Sequence, residues 1–360
     1  MKVGILTYHN ASSYGAMLQA YALQEVLRLL GHNSTIVNYR GESWEIRWLK
    51  LLKCRSPWGF ISTLNGFRMY GKIKPFVEKF MQLTRYYDSA EALKASPPGF
   101  DAYICGSDQV WHPQKFETDG KIREEYFLSF AEPGTRKIAY APSFGHEPGS
   151  RFLEAICPLL EDFAALSVRE PTGAAALSGA LGRTVPAVCD PTFLLGRTGF
   201  EKLISGCGEK WGDYIFCFLL GHEPGRDRHV VKDVAHRLRC PVVIASRLMQ
   251  LWGCGENCIP DIPTWVDRMN RARFVITNSF HGLSFCILFH RPFVSLPWRR
   301  EQQNIRCRNL LRQLGLSRRM VDLGGEVDEI VNEPIDWGFV DEKVEAMRQE
   351  GLDFLRLALG

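Results

Sequence analysis

Four segments of this 360-residue chain set anion- or hydroxyl-handling side chains just after short apolar runs. In the first, Thr277-Asn278-Ser279-Phe280-His281-Gly282 follows the run Phe274–Ile276 and opens an apolar helical pattern that reaches Phe289. His281 therefore falls near a helix N-terminus, where backbone N–H groups and the positive end of the helix dipole favour phosphate. Asn278, Ser279 and His281 add side-chain donors, and with Gly282 they form a candidate anion-binding turn. A histidine in such a turn is as readily structural, and the residues alone leave both readings open. Downstream, Arg299, Arg300, Arg306 and Arg308 follow another buried run, and arginine's planar fork suits carboxylate and phosphate oxygens. For any one of them the alternative is a solvated helix face.

The run Ala165–Val168 reads as a strand ending in Arg169-Glu170-Pro171, a charged pair at a strand's carboxyl end. Such ends border ligand crevices in open α/β sheets, so Arg169 is a candidate anion ligand; an ion pair with Glu170 or another acid is the competing role. Gly106-Ser107-Asp108-Gln109-Val110-Trp111 follows Ala102–Cys105 in the same way, offering a glycine turn, polar groups for hydroxyls and an aromatic face. The alternative there is Asp108 as a helix cap with Trp111 in the core. The loop His9–Gly15 holds the matching place after the first strand and contributes Asn10 and Gly15. It lacks G-x-G-x-x-G, so no nicotinamide or flavin cofactor is expected, and no P-loop, H-E-x-x-H, G-x-S-x-G or EF-hand pattern occurs.

These turns require parallel α/β elements to hold them. Lys2–Tyr8 reads as a strand, Met17–Leu30 carries helical spacing stopped by Gly31, and Ser34–Tyr39 reads as the next strand. Trp44–Ala95 is rich in aromatic and basic residues and broadly helical, including Pro75–Gln82, and is read as an insertion that ends at Ser96-Pro97-Pro98-Gly99. Strands at Ala102–Cys105, Lys137–Ala141, Ala165–Val168 and Val185–Val188 complete a first domain over residues 1–192. A second series comprises the strand Asp213–Leu219, the helix Asp227–Leu238, the strands Val242–Ala245 and Phe274–Thr277, the helix to Phe289 and the strand Phe293–Leu296. It gives a second domain over 193–340, with 341–360 as a terminal helix. The expected class is α/β, two Rossmann-like domains facing a cleft.

Composition excludes several functions. With 46% hydrophobic and 23% charged residues the chain is that of a folded protein, and a net charge of +4 over this length gives no field for nucleic acid. The opening MKVGIL reads as a buried strand and not a signal peptide, and no apolar run approaches the roughly 20 residues of a membrane span, so membrane contact is expected to be peripheral at most. The eleven cysteines are scattered, and the closest pair, Cys254 and Cys258, has no partners to complete a zinc site. They are read as reduced thiols of a cytosolic protein, with no metal expected.

Taken in order, GILTYHNASSYGAMLQAYAL, FDAYICGSDQVW, KIAYAPSFG, LSVRE, VCDPTFLL, FVITNSFHGLSFCILFHRPFV and NIRCRNLLRQLGL resemble the polysaccharide pyruvyl transferase family. The resemblance spans roughly residues 1–315, with Trp44–Ala95 matching least. It implies a fold similar to the glycosyltransferases of the B type (GT-B), and phosphoenolpyruvate as donor substrate with no further cofactor. The implied acceptor is a sugar or lipid-linked oligosaccharide, and the location cytoplasmic, extending to the inner face of the membrane. The implied reaction moves the enolpyruvyl group onto two sugar hydroxyls, forming a ketal in surface-polysaccharide biosynthesis. On this resemblance His281, Arg169 and one of Arg299 or Arg306 inherit the donor-handling roles, and the chemistry, which also needs a base, leaves Asp108 as the acceptor-side candidate. Asn278, Ser279, Gly282, Arg299 and Arg306 fall on the donor side, and Asn10, Gly15, Ser107, Gln109 and Trp111 on the acceptor side. The competing functions are a glycosyltransferase using a nucleotide sugar, whose diphosphate the same helix N-terminus would hold, and a non-catalytic carbohydrate-binding protein.

Overall fold

The computed structural model describes residues 1–40, 57–204, 212–221, 224–246, 251, 253–321 and 327–360. The chain divides into two compact units, one of Met1–Arg47, Val77–Leu195 and Glu345–Gly360, the other of Trp48–Phe76 and Gly196–Val344. Each is built on a five-stranded sheet whose pairings are all parallel. Parallel strands are covered on both faces, which is why they read as unbroken apolar runs such as Ala102–Cys105 and Phe274–Thr277, buried at every position.

In the first unit β1 (Lys2–Leu6), β2 (Asn33–Ile36), β3 (Ala102–Cys105), β4 (Arg136–Ala139) and β5 (Phe163–Leu166) lie in the order β2-β1-β3-β4-β5. The chain runs from β1 to β2 on one side and then from β3 outward on the other, so the topological switch point lies between β1 and β3. The helix after β1 spans Tyr14–Leu29 and starts ahead of Met17, because the Ser13 hydroxyl caps it by accepting from the Ala16 N–H at 3.4 Å. The expected strand Val185–Val188 is only an isolated bridge, Val168 to Ala187. Pro186 sits inside that run and has no N–H for a ladder, although its carbonyl accepts from Val168. Of the helical insertion, residues 44–56 lie outside the described residues; beyond them come helices Pro57–Phe80 and Ala90–Ala95.

The second unit orders β6 (Ile215–Phe218), β7 (Val242–Ala245), β8 (Glu256–Cys258), β9 (Phe274–Thr277) and β10 (Phe293–Ser295) as β10-β9-β6-β7-β8, which puts its switch point between β6 and β9. β8 escaped the sequence reading because Glu-Asn-Cys has no apolar pattern and sits at a sheet edge. The helix Ile262–Arg271 escaped too, although its start is marked by Asp261, whose Oδ1 accepts from the Thr264 N–H at 2.8 Å, followed by Pro263. Trp265 from that helix is fully buried and packs edge-on against Phe216, Phe218 and Phe285.

The terminal helix runs from Trp337 to Leu359, and its portion from Glu345 belongs to the first unit. There Arg348 Nε donates to the Leu194 carbonyl at 3.0 Å and Arg136 donates to that of Ala358 at 2.8 Å. Gly351 allows the close seating, since a Cβ there would stand 2.6 Å from the Tyr140 hydroxyl. No helix among the described residues is long and apolar enough to cross a membrane.

One buried titratable group gives the first unit a pH dependence. His9 is 1% exposed, with Nδ1 3.0 Å from the Thr7 carbonyl and Nε2 3.2 Å from Asn38 Oδ1. Burial lowers its pKa below the usual 6.5. The unfolded chain then binds a proton that the folded chain refuses, so stability falls as pH drops below 6.5, by up to about 1.4 kcal/mol per pH unit until the folded pKa is reached. His9→Gln should flatten the thermal midpoint between pH 6.5 and pH 5 relative to the wild type; an unchanged slope would show that His9 titrates alike in both states.

Candidate active site

The turn after β9 stands at the second unit's switch point, where open α/β sheets form their ligand crevices. Thr277 ties the end of β9 to β6, its hydroxyl donating to the Phe218 carbonyl at 2.7 Å and accepting from the Ser279 N–H at 3.1 Å. Ser279 is the N-cap of the fully buried helix Phe280–Leu288, and its hydroxyl accepts from the Gly282 N–H at 3.3 Å. That helix can approach the sheet because residue 282 is glycine: a Cβ there would stand 2.2 Å from Thr277 Oγ1 and 3.3 Å from the Phe218 ring. Thr277 cannot yield without breaking both hydrogen bonds. Gly282→Ala should therefore cost roughly 1–3 kcal/mol of stability, the usual range for overpacking. A thermal midpoint equal to the wild type's would contradict this.

These contacts give three of the expected donor-side residues structural roles. The Asn278 amide is spent on the loop after β6, with Oδ1 accepting from the Leu220 N–H at 2.9 Å and Nδ2 donating to the Gly221 carbonyl at 2.7 Å. These bonds use one of its donors and one of its acceptor lone pairs and tie the turn to that loop. The Ser279 hydroxyl and the Gly282 N–H are committed to each other as cap and capped group. What the turn presents to an anion is thus its N-terminal backbone around Phe280 and His281, since first-turn N–H groups have no intrahelical acceptor.

His281 sits in that first turn, 8% exposed, its ring edge-on to Phe280 at 5.4 Å. The guanidinium of Arg306 lies 5.8 Å from the Phe280 ring centroid, which holds a positive charge beside the helix N-terminus. Arg299 and Arg300 are exposed on the loop after β10. Asn304 shapes that loop, accepting from the Trp298 N–H at 2.7 Å and donating to the Trp298 carbonyl at 2.9 Å, and the Trp298 indole donates to the Asn278 carbonyl at 3.1 Å. Arg308 is turned to Glu301 at 2.6 Å, both half-exposed, so it follows the solvated-face reading.

In the first unit, Asp108, Arg169 and Ser107 meet at the carboxyl ends of β3 to β5. Arg169 Nη1 is 2.9 Å from Asp190 Oδ2, Nε is 3.7 Å from Glu170 and Nη2 is 3.9 Å from Asp108. Burial works against the guanidinium's charge, and Asp190, Glu170 and Asp108 outweigh it, so its pKa is raised. Of the two roles open to Arg169 in the sequence, these contacts display the ion-pair one. Asp190 is the centre of the cluster, its other oxygen accepting from the Thr192 N–H at 3.0 Å and hydroxyl at 2.8 Å. Its sequence signal is an Asp directly before Pro191 at a helix start, within the VCDPTFLL stretch.

The acceptor-side expectations divide. The Ser107 side chain is fully buried, donating to the Ala141 carbonyl at 2.8 Å with Asp190 Oδ2 at 3.2 Å, and is closed to a ligand. Trp111 is 1% exposed and stacks on Phe127 at 5.2 Å, with its N–H on the Tyr126 carbonyl, so its face belongs to the core. Gly15 is buried in the first turn of its helix. Asn10 is partly exposed and lines a pocket, and Gln109 is partly exposed beside Gly145. Asp108 takes a left-handed conformation (φ 68°), its carboxylate accepts from the Gln109 N–H at 2.9 Å, and its side chain keeps 14% exposure.

The family model for polysaccharide pyruvyl transferases matches residues 14–300, from the first helix through β10. The chain belongs to the polysaccharide pyruvyl transferase family. Among solved structures, this pyruvyl transferase family member is similar to a UDP-glucosyltransferase from Polygonum tinctorium, with 10% identity and a TM-score of 0.50 over 99% of this chain and 97% of the other. It is equally similar to UDP-N-acetylglucosamine 2-epimerase from Rickettsia bellii, with 10% identity and a TM-score of 0.50 over 100% and 99%. At that identity the likeness is one of fold, and the fold is GT-B-like, two Rossmann-like units in one chain. No curated protein matches. The family is one of transferases, and no group of three or more metal-binding side chains occurs among the described residues.

Proposed function

We propose that this protein transfers the enolpyruvyl group of phosphoenolpyruvate to two hydroxyls of a sugar in a surface polysaccharide or its precursor, forming a pyruvate ketal. The observation that carries the reading is His281 in the first turn of a helix at the second unit's switch point, with the Arg306 guanidinium 5.8 Å from the ring of the neighbouring Phe280. Phosphate suits that helix end and carboxylate suits the fork of Arg306 or Arg299.

In the proposed reaction protonated His281 gives its proton to the methylene carbon of the donor, and the neighbouring carbon becomes oxocarbenium-like. A sugar hydroxyl attacks that carbon and loses its proton to a base, for which Asp108 is the candidate. The second hydroxyl then attacks the same carbon and gives its proton to the His281 imidazole, restoring the acid, while the carbon–oxygen bond to phosphate breaks and inorganic phosphate leaves with the bond's electron pair and takes up the proton held by the base. Phosphoenolpyruvate and a diol thus yield a ketal and phosphate. The arginines offset the charge on the carboxylate and departing phosphate. Arg169 serves as a positioning residue that holds Asp108 through the cluster at Asp190.

The test is product analysis with labelled donors. Release of phosphate from phosphoenolpyruvate only when a saccharide acceptor is present supports ketal transfer. Release of nucleoside diphosphate from a nucleotide sugar, with phosphoenolpyruvate inert, would replace the reading with glycosyl transfer.

A further inference from the structure

The loops that follow β1, β2 and β3 enclose a pocket of about 620 Å³ in the first unit, at that unit's own switch point. Its chemistry comes from residues that no motif singled out: Tyr8, Tyr39, Arg123, Glu125 and Tyr126. Arg123 Nε lies 3.2 Å from Glu125 Oε1, and its Nη1 donates to the Tyr8 hydroxyl at 3.2 Å. The Tyr39 hydroxyl donates to the same Glu125 oxygen at 2.9 Å, so Oε2 retains acceptor capacity. The guanidinium also stands 4.6 Å from the Tyr126 ring and 5.9 Å from the Tyr8 ring, and those two rings meet edge-on at 5.4 Å. Each planar group is thereby fixed in orientation. Arg123 keeps 30% of its side chain exposed and Glu125 11%, so the pair is held without being sealed off.

The charges of the lining nearly cancel. Arg40, Lys121 and Arg123 line the pocket against Asp119 and Glu125, three cations to two anions, and Arg123 is already answered by Glu125. Burial lowers the pKa of His9, also in the wall, and keeps it neutral. A near-balanced site with a fixed guanidinium–carboxylate pair offers donors and acceptors side by side, the pattern that adjacent hydroxyls match. A tyrosine ring gives an apolar face for the C–H side of a sugar. The volume falls within the range of about 300–1,000 Å³ usual for small-molecule sites.

We propose that this pocket binds the acceptor saccharide as a neutral pyranose, with adjacent hydroxyls on the Arg123–Glu125 pair beside the Tyr8 ring. The word acceptor rests on the pyruvyl-transfer reading; saccharide binding does not. The test titrates the full chain, by ligand-observed NMR, with methyl glycosides of galactose, glucose and mannose, and separately with phosphoenolpyruvate. At least one glycoside should bind. Glu125→Gln and Arg123→Gln should each weaken it about tenfold or more, the scale of one charge-assisted hydrogen bond, and leave phosphoenolpyruvate binding unchanged. Tyr8→Phe, which keeps the ring and its packing, should weaken it less. Failure of all three glycosides to bind the wild type would overturn the proposal. So would wild-type glycoside affinity in Glu125→Gln, Arg123→Gln and Tyr8→Phe proteins of unchanged thermal midpoint. Glycoside binding that is lost in Glu125→Gln, in a chain that ignores phosphoenolpyruvate, would support the pocket and remove the transfer reading alone.

Discussion

Replacing His281 with alanine should lower phosphate release from phosphoenolpyruvate by roughly 10²- to 10⁴-fold, the range that a positioned general acid contributes. The fold should survive, because the turn is anchored by other groups: the Thr277 hydroxyl on Phe218, the Ser279 cap on Gly282, and the Asn278 amide on Leu220 and Gly221. The His281 ring's edge-on contact with Phe280 is a small loss beside those. Alanine also carries no penalty inside a helix. The thermal midpoint should therefore stay near the wild type's and saccharide binding should persist. Turnover within a few-fold of the wild type would remove His281 from the mechanism.

The largest loss of stability should come from Asp190→Ala, about 3–5 kcal/mol, the usual effect of stranding one partner of a buried ion pair. Asp190 is 1% exposed and accepts from Arg169, Ser107 and Thr192. Without it the guanidinium would face Glu170 at 3.7 Å and Asp108 at 3.9 Å, beyond hydrogen-bond distance, while still buried. Glu170 cannot readily turn to it, being held by the Ser143 hydroxyl and the Phe144 N–H. Asp190→Asn keeps one acceptor oxygen and the shape, and should fall between alanine and wild type. Thermal unfolding of the two variants checks the order; an alanine protein as stable as the wild type would show that Arg169 finds a full substitute. Asp108 leans on the same cluster, so activity should fall with the alanine change even below the unfolding temperature.

The sequence was most informative where one interaction decides the outcome. Ala102–Cys105, Val242–Ala245 and Phe274–Thr277 were read at their exact bounds because apolar runs buried on both sheet faces carry the signal by themselves. His281 was legible as the first turn of a helix because a buried strand and an apolar helical pattern bracket it. The roles of Asn278, Ser279 and Gly282 were not, since whether an amide meets a ligand or the loop after β6 depends on a partner some sixty positions away in the chain. Arg169 shows the same limit from the other side. An arginine at a strand end serves an anion or a carboxylate equally well by type, and only the convergence of Asp108, Glu170 and Asp190 decides between them. The pairing of Tyr8, Arg123 and Glu125 in one pocket was not legible for a related reason: Tyr8 ends a run read as a strand, and its partners lie about 115 positions away in a segment without a periodic pattern.

The central claim concerns where the donor is held, and a structure of the protein with phosphoenolpyruvate bound tests it directly. The phosphate should lie at the first turn of the helix Phe280–Leu288, within hydrogen-bond reach of His281 and its backbone, with the carboxylate on Arg306 or Arg299. Density for the donor at the Arg169 cluster, or in the pocket beside Tyr8, with the His281 turn bare, would contradict it.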